Sequence, residues 1–360
     1  MDLRELVSGF FPNKIPNPDL KWERTGQFDI GLDLGLFNNR LRITTDYYKK
    51  KTTDLLYSVA VPATSGYQTM LKNIGSIENQ GYELSIESDN LTGAFSWTTA
   101  FNIAFNRNKV LELGGEEYKE MAEGDGHLKT GSVRRLIVGE PIGVFYGYRF
   151  DGIFQNEEEC KQQTSSASPI GVGLRRYKDL NGDGKVDAAN DREILGDANP
   201  KFFGGLTNTF AYKGFELNVF LQYSYGNKIL NYNAMELENP TGGQNAYADM
   251  VNRWTPENPS NIYPKATTNR ALLVSDRFIE DGSYLKLKTL SLSYSFPKIN
   301  LKHIQGLRLY VTGQNLLTWT KYRGYDPEVS YRGASTLEAG EDFGGYPQSR
   351  TFMFGIKLDI

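Results

Sequence analysis

The residue types and spacing that could support chemistry occur in one short segment, DLNGDGKVDAAND, which begins at Asp179. Oxygen-bearing side chains at Asp179, Asn181 and Asp183 precede Gly184, where the chain must bend sharply, and this matches the opening of the D-x-[DN]-x-[DN]-G calcium loop. An EF-hand also needs a bidentate Glu at the twelfth position and a helix on each side, but the twelfth residue is Asn190 and the flanking residues are rich in Gly, Arg and Pro. The pattern predicts at most a local cation site on a loop.

Other candidates for chemistry are weak. His127 and His303 lie far apart and in no recognisable nucleophile or metal motif, and Cys160 is the single cysteine, so a His/Cys zinc site is nearly excluded. The acidic pair Glu116–Glu117 and the run Glu157–Glu159 fit solvated loops better than general acid and base couples. We therefore expect no enzymatic activity.

Composition narrows the class of protein. With 37 Gly, 22 Tyr and 20 Phe in 360 residues, one large β-architecture is favoured. The net charge of −3 and the absence of a basic stripe predict no nucleic-acid partner. The sequence has no stretch of about 18 apolar residues, so no transmembrane helix is predicted. The opening MDLRELVSGFFPNK lacks the apolar core of a signal peptide. Taken alone, these features suggest a soluble protein.

Hydrophobic periodicity favours a different answer. In the segment that begins at Phe28, apolar and polar residues alternate up to Leu36 and resume after Asn38–Asn39, which predicts a hairpin with one apolar face. The same alternation recurs near residues 82–86, 95–105, 215–223, 307–311 and 352–360. Runs of about ten residues have the length of a tilted transmembrane strand, whereas sandwich strands are typically about five or six residues long.

The connections alternate between tight and long, as in outer-membrane barrels with short periplasmic turns and long external loops. Tight turns are predicted at residues 37–39, 90–94, 213–214 and 297–305, and long loops at 56–78, 107–128, 153–201, 226–282 and 316–349. Consistent strand directions require a further, weak strand at about His127–Val138, turning at GEPIG, so we predict about eleven strands. A change of parity between Leu287 and Leu290 predicts a β-bulge near Lys288–Thr289.

The predicted fold class is therefore all-β, an antiparallel transmembrane β-barrel fragment. An open sheet would leave two edges of unpaired N–H and C=O groups that lipid cannot satisfy. We therefore expect the chain to form part of a larger barrel.

Seven motifs in order carry a resemblance to a known family. They are NPDLKWERTGQFDIGLDLGLFNNRLRITTDYYKKKTTDLL, GEPIGVFYGYRFDGIF, DLNGDGK, NRWTPENP, DGSYLKLKTLSLSYSFP, VTGQNLLTWTKYRGYDPEV and YPQSRTFMFGIKLDI. The chain resembles the C-terminal half of SusC/RagA-type TonB-linked outer-membrane transporters of Bacteroidetes. The resemblance implies half of a barrel of about 22 strands, in the outer membrane and surrounded by its lipid. It also implies that the signal peptide, carboxypeptidase-like domain, TonB box and plug lie upstream of Met1, outside residues 1–360.

The family implies a function and partners. Its members import oligosaccharides or peptides with a SusD-like surface lipoprotein, and draw energy from TonB–ExbB–ExbD through the plug. We expect the long loops to form substrate contacts and part of the lipoprotein's seat, since aromatic rings offer contact area with a polar tip. The candidate aromatics are Tyr232, Tyr247, Trp254, Tyr263, Tyr325 and Tyr331. The alternative is that each of them packs the loops together or lies in the interfacial aromatic girdle.

In the family the DLNGDG segment precedes a long connection, which places it in an external loop. The calcium ligands we expect there are Asp179, Asn181, Asp183, the carbonyl of Lys185 and either Asp187 or Asp191. Related loops commonly carry an Asp at the twelfth position, whereas Asp191 is the thirteenth. The alternative is an Asx/Gly-rich turn that needs no ion. A bound Ca²⁺ would brace the loop, because hard oxygen ligands here leave no catalytic position.

Two alternatives from other classes stay open at this point. A soluble, calcium-braced carbohydrate-binding β-sandwich would explain the aromatics and the turn, and it would fold without detergent. A passive porin or adhesin barrel would share the strand pattern and need no TonB coupling.

Overall fold

The computed structural model describes residues 15–67, 69–121, 128, 130–239, 245–268, 272–296, 305–331, 333, 335 and 337–359. The predicted turn at 297–305 lies almost wholly outside these residues, as do His127 and His303. No helix within the described ranges has the length and apolar composition needed to cross a membrane.

Strands dominate the described part of the chain. In chain order they are β1 (Arg24–Leu36), β2 (Leu41–Thr53), β3 (Leu56–Ala60), β4 (Thr69–Asn73), β5 (Ser76–Thr92), β6 (Phe95–Glu112), β7 (Tyr118–Glu120), β8 (Arg134–Ile137), β9 (Val144–Tyr148), β10 (Phe150–Ile153), β11 (Thr164–Ser165), β12 (Arg175–Tyr177), β13 (Lys185–Val186), β14 (Arg192–Asp197), β15 (Phe202–Tyr212), β16 (Phe215–Tyr225), β17 (Lys228–Asn231), β18 (Ile279–Asp281), β19 (Tyr284–Phe296), β20 (Gly306–Thr320), β21 (Glu341–Asp342) and β22 (Thr351–Asp359). The α-helices are α1 (Glu157–Gln162) and α2 (Tyr232–Leu237), and single 3-10 turns lie at Ala63–Ser65, Ala248–Asn252 and Asp276–Phe278.

One antiparallel sheet forms the frame of the molecule. Its order is β1-β2-β5-β6-β15-β16-β19-β20-β22, so each strand pairs with the next long strand along the chain. The strands are 9 to 18 residues long, which suits tilted spanning strands better than a sandwich. A sandwich would instead need two stacked sheets.

The predicted number of strands is wrong for this sheet, which contains nine strands among the described residues. The two extra strands correspond to β8 and β9, which join at GEPIG as expected but belong to a separate sheet, β14-β9-β8-β7. The physical reason is burial on both faces: Val144 and Phe145, neighbours on opposite sides of β9, are both buried. A strand in the wall of a membrane barrel would turn one of its faces to lipid. Because both strands leave the large sheet together, the predicted directions of all its other strands are unchanged.

Register gives the large sheet one continuous apolar face. Ile30 lies opposite Tyr47, which lies opposite Tyr82, and Tyr82 lies opposite Phe105. The same face continues through Leu217 and Leu292 to Val311 on later strands. The opposite face carries Asp, Glu, Asn, Gln, Lys, Ser and Thr. Because side chains alternate across a strand, this pairing keeps the apolar and polar faces separate across the sheet.

The predicted bulge is confirmed. Against β16, Leu287 and Thr289 pair with the adjacent residues Leu221 and Phe220, so Lys288 is the extra residue of β19. Against β20 the register shifts at the same place, where Lys288 lies across from the two residues between Gln314 and Leu317. An extra residue in one strand reverses the side-chain parity beyond it. The bulge thus keeps Leu287 and Leu290 on the apolar face.

The tight connections have the backbone conformations that their residues allow. Lys213 and Gly214 both adopt positive φ, the geometry of a two-residue hairpin turn whose twist matches the flanking strands. A Cβ on Gly214 would lie 2.6 Å from the carbonyl oxygen of Ser295. Glycine is therefore required there both for φ and for close approach of the next strand.

Three long connections at the other end of the sheet fold together into one body, which we call the loop cap (the described residues among 113–201, 226–283 and 321–350). Its core contains Val133 and Phe145 from the first connection and Leu230, Tyr232 and Phe278 from the second. Phe343 of the third connection packs against this core. The cap is therefore stabilised by a shared apolar core.

Candidate functional site

The candidate site is the polar face of the sheet where it meets the loop cap. Lys286 of β19 faces the polar side, and its ammonium group lies 2.6 Å from both Asp326 and Glu328 of the third cap connection. Lys288, the bulge residue, lies 2.9 Å from Glu328. Lys286 is buried, so these ion pairs are poorly screened. They attach the cap to the wall beside the channel.

Ion pairing with lysine lowers the pKa of both cap carboxyl groups, Asp326 and Glu328. Burial, the largest single influence, raises the pKa of Asp326, but the hydrogen bond from Lys286 and those from the backbone N–H groups of Glu328 and Gln348 together outweigh it, so the net pKa is lowered. The same opposition lowers the pKa of Glu328, with Lys288 adding to the effect. A carboxyl whose pKa is lower in the folded state stabilises the fold above its unfolded pKa and loses that contribution as pH falls through the folded value. The attachment is therefore fully formed at neutral pH and weakens only in strong acid.

A second buried ion pair joins two cap connections. Nε of Arg134 lies 2.8 Å from Oε1 of Glu341, and both side chains are almost completely buried. The Arg134 guanidinium also donates to the carbonyl oxygens of Gly143 and Ala339 and lies 4.2 Å from the ring centroid of Phe145. Arg134 thus crosslinks three backbone segments, because its planar fork reaches several acceptors at once.

A third charged cluster surrounds Glu238, which is 1% exposed. Its carboxylate pairs with Arg277 at 2.6 Å and with Arg323 at 2.7 Å. Arg323 also pairs with Glu280 at 2.8 Å, and these contacts raise the pKa of Arg323 despite opposing burial. The cluster links the second and third connections of the cap.

The six candidate aromatics occupy different environments. Tyr232 is fully buried in the cap core, so its ring is unavailable to a ligand in this arrangement, and Tyr247 packs against that core. Trp254 donates from Nε1 to Gln155 at 3.1 Å. Tyr263 donates to Asp249 at 3.3 Å.

The last two candidates are the more open ones. Tyr325 is 81% exposed, and Tyr331 is 43% exposed while contacting Phe343 edge-on. A substrate role for Tyr247, Trp254, Tyr263, Tyr325 and Tyr331 stays a prediction.

The calcium-type segment forms a hydrogen-bonded turn. Asp179 accepts from the backbone N–H groups of Gly182 at 2.7 Å and Gly184 at 2.6 Å. Asp183 accepts from the N–H of Lys185 at 2.8 Å. Among the residues that the structure describes, no three His, Cys, Asp or Glu side chains are grouped as a metal site requires.

Asp187 and Asp191 complete the turn. Asp187 accepts from the N–H groups of Ala189 and Asn190 at 3.0 Å, and Nζ of Lys185 lies 3.0 Å from its second oxygen. Asn181 accepts from the N–H of Asp183 at 3.1 Å. Every predicted side-chain ligand is thus already an acceptor for main-chain N–H, which is the arrangement of a turn that needs no ion. Calcium binding here stays a prediction.

Asp191 is the residue on which the turn depends most. It is fully buried and accepts from the N–H of Leu180 at 2.8 Å and from that of Asp187 at 2.7 Å. Asp191→Ala should cost about 1–3 kcal/mol for each N–H left without an acceptor. The measurement is amide hydrogen exchange across 179–192 in the full-length protein, with exposed Asp183→Ala as the milder control.

The same experiment tests the metal. Millimolar calcium should increase protection of the wild-type turn if the ion binds, and Asp191→Ala should reduce that gain. Equal protection with calcium and with a chelator would remove the calcium hypothesis. Unchanged exchange in Asp191→Ala would contradict the structural role of Asp191 itself.

Known proteins of similar sequence are TonB-dependent receptors. The family model described as "TonB dependent receptor-like, beta-barrel" matches residues 2–316. TonB-dependent receptor P3 of Formosa agariphila is 40% identical and is covered over 36% of its length, with 98% of this chain aligned. TonB-dependent receptor SusC of Bacteroides thetaiotaomicron is 30% identical over 96% of this chain and 33% of its own length. The chain therefore spans about a third of the length of these curated relatives.

A solved structure shares the same architecture. The RagAB peptide importer in its "open-open" state superposes with a TM-score of 0.79 at 26% identity, over 99% of this chain and 37% of that one. The superposition therefore includes the wall strands and the cap. The two-faced sheet, the family match and these relatives show that the chain belongs to the TonB-dependent, SusC-like family of outer-membrane β-barrel transporters.

Proposed function

We propose that the full-length transporter imports oligosaccharides or peptides across the outer membrane. In this proposal a SusD-like surface lipoprotein covers the cap, and TonB–ExbB–ExbD supplies energy through a plug contributed by another part of the transporter. The proposal rests on the similarity of this chain, including both the wall and the cap, to the RagAB peptide importer. The residues described here would supply part of the wall and the external face.

The structure of the cap is suited to this role. A cap with its own core can hold a rigid external surface, while its ion pairs with Lys286 anchor it to the wall at the polar face. Exposed aromatics on that surface, Tyr325 above all, offer flat apolar area with a polar tip for sugar rings or peptide side chains.

The proposal is tested by growth and uptake. A strain with an intact transporter is compared with strains that lack the transporter, TonB or the neighbouring lipoprotein, with each oligosaccharide or peptide mixture as sole nutrient. Loss of uptake in all three deletions is the expected result. Uptake that persists without TonB would support the passive porin or adhesin alternative, and uptake without the lipoprotein would remove that partner. Membership of an outer-membrane barrel family sets aside the soluble sandwich.

A point substitution tests the exposed ring. Tyr325→Ala should weaken apparent substrate affinity about 2- to 10-fold, because an aromatic contact contributes about 0.5–1.5 kcal/mol beyond its buried area. The matched control is Tyr346→Ala, which removes another exposed tyrosine from the same connection, near the start of β22. Equal effects of the two substitutions on measured uptake affinity would argue against a specific contact at Tyr325.

A further inference from the structure

One buried arginine of the cap lacks an acidic partner. Arg175 begins β12 and is 8% exposed. Its Nη2 donates to the carbonyl oxygen of Glu238 at 3.0 Å, while its buried Nε has no hydrogen-bond partner among the described residues. Burial, the largest cause, lowers the pKa of Arg175. A buried guanidinium whose donors are unused carries a desolvation cost that a ligand can offset.

The carboxylate nearest to Arg175 is already shared. Arg277 and Arg323 pair with Glu238, and Arg323 also pairs with Glu280. Within the described ranges Arg175 has no carboxylate at ion-pair distance, so its charge has no direct counter-ion. Breaking charge balance in a buried cluster is costly unless something compensates it.

A small cavity lies beside this arginine. Ser168, Asn239 and Thr267 contribute polar atoms to its lining, and two prolines contribute rigid apolar walls. The space open to the centre of a water molecule is about 30 Å³, and a single water needs about 10–15 Å³ on that measure. The cavity therefore has room for about two water-sized groups, which matches the two oxygens of a carboxylate.

We propose that Arg175 and this cavity form a binding site for one carboxylate group. Charge-assisted bonds from a guanidinium to a carboxylate are short and strong, and the Arg175 side chain lines the cavity in which the carboxylate would lie. The carboxylate belongs either to a free small acid or to a larger molecule that inserts its acidic end. This site does not depend on the proposed import function, because its binding is measured without transport.

The experiment uses the full-length transporter in detergent and acetate as the probe. Saturation-transfer NMR should detect protein contact at the acetate methyl group, at constant ionic strength and without added sulfate or phosphate. Acetamide, which has a similar shape and no charge, should give little signal. Arg175→Met should weaken acetate binding about tenfold or more, the loss expected for a hydrogen bond to a charged group.

Arg176→Gln is the matched control. Arg176 is adjacent in β12 but half-exposed, and it pairs with Asp151 at 3.0 Å and Glu159 at 3.4 Å. The acetate signal should survive this change. If Arg175→Met does not fold, Arg175→Lys carries the test, because it retains the charge but loses the planar fork and should still weaken binding.

The outcomes separate the sources of the carboxylate. Displacement of acetate by N-acetylglycine, but not by N-acetylglycinamide, supports insertion of an acidic end of a larger molecule. Acetate binding that N-acetylglycine does not displace supports a free small acid. Equal acetate signals in wild type and Arg175→Met, or equal signals from acetate and acetamide, would overturn the site while leaving the import proposal untouched.

Discussion

Replacing Arg134 with Met in the full-length transporter should release residues 321–350 from the rest of the loop cap, at a cost of about 3–5 kcal/mol. Glu341 would keep a buried carboxylate without its guanidinium, and the carbonyl groups of Gly143 and Ala339 would lose their donor. Desolvation makes an orphaned buried charge far more costly than a broken surface pair.

Hydrogen exchange resolved by segment is the measurement. Exchange should accelerate in 321–350 while the wall strands stay protected, since the wall is paired independently of this contact. The control is Arg42→Met, whose ion pair with Glu87 at 2.9 Å is about half exposed and should be worth less than about 1 kcal/mol. Adding Glu341→Met to Arg134→Met should recover part of the loss, because the orphaned carboxylate is removed. Unchanged exchange in Arg134→Met would contradict the crosslinking role.

Val219→Lys should destabilise the inserted barrel by about 2–4 kcal/mol, the cost of a cation on the lipid face near the midplane. Val219 lies near the centre of β16 and opposite Leu290 on the apolar face. Asn218 is its neighbour on the polar face and pairs with Ser291. Asn218→Lys places the same charge one residue away, toward the channel, and should cost little.

The comparison is made by urea unfolding of the full-length protein in lipid vesicles, followed by the fraction that keeps folded mobility in a gel. A lower midpoint for Val219→Lys alone is the expected result. Equal midpoints for the two variants would mean that the faces are wrongly assigned.

Local patterns in the sequence were sufficient to predict most strands of the large sheet. Alternation depends only on neighbouring residues, so the hairpin β1–β2, the turn at Lys213–Gly214 and the bulge at Lys288 are all confirmed by the register. The weak strand at about His127–Val138 was predicted from the strand directions, and β8 and β9 lie instead in a cap sheet. What distinguishes them is burial by distant segments, and alternation contains no information on that.

The candidate site depended on contacts that the sequence does not display. Lys286 meets Asp326 across 40 residues, and Arg134 meets Glu341 across 207. Alternation places Lys286 on the polar face but gives no partner, because long connections have no period from which to infer position. Tyr232 resembled an exposed loop aromatic for the same reason, and its burial follows from packing with Phe278 and Leu230. Nothing in the sequence singled out Arg175, because its lack of a carboxylate partner depends on how distant segments fold around it.

The assignment of one sheet face to lipid and the other to the channel can be tested by spin-label accessibility along β16. The full-length protein would carry Cys160→Ser, replacements of any other native cysteines, and one new cysteine at a time. Labels at Leu217, Val219 and Leu221 should collide mainly with oxygen in the bilayer, and those at Asn218 and Gln222 mainly with a water-soluble nickel chelate. Equal accessibility at both sets of positions, or the reverse pattern, would mean that this sheet does not form a barrel wall with these two faces.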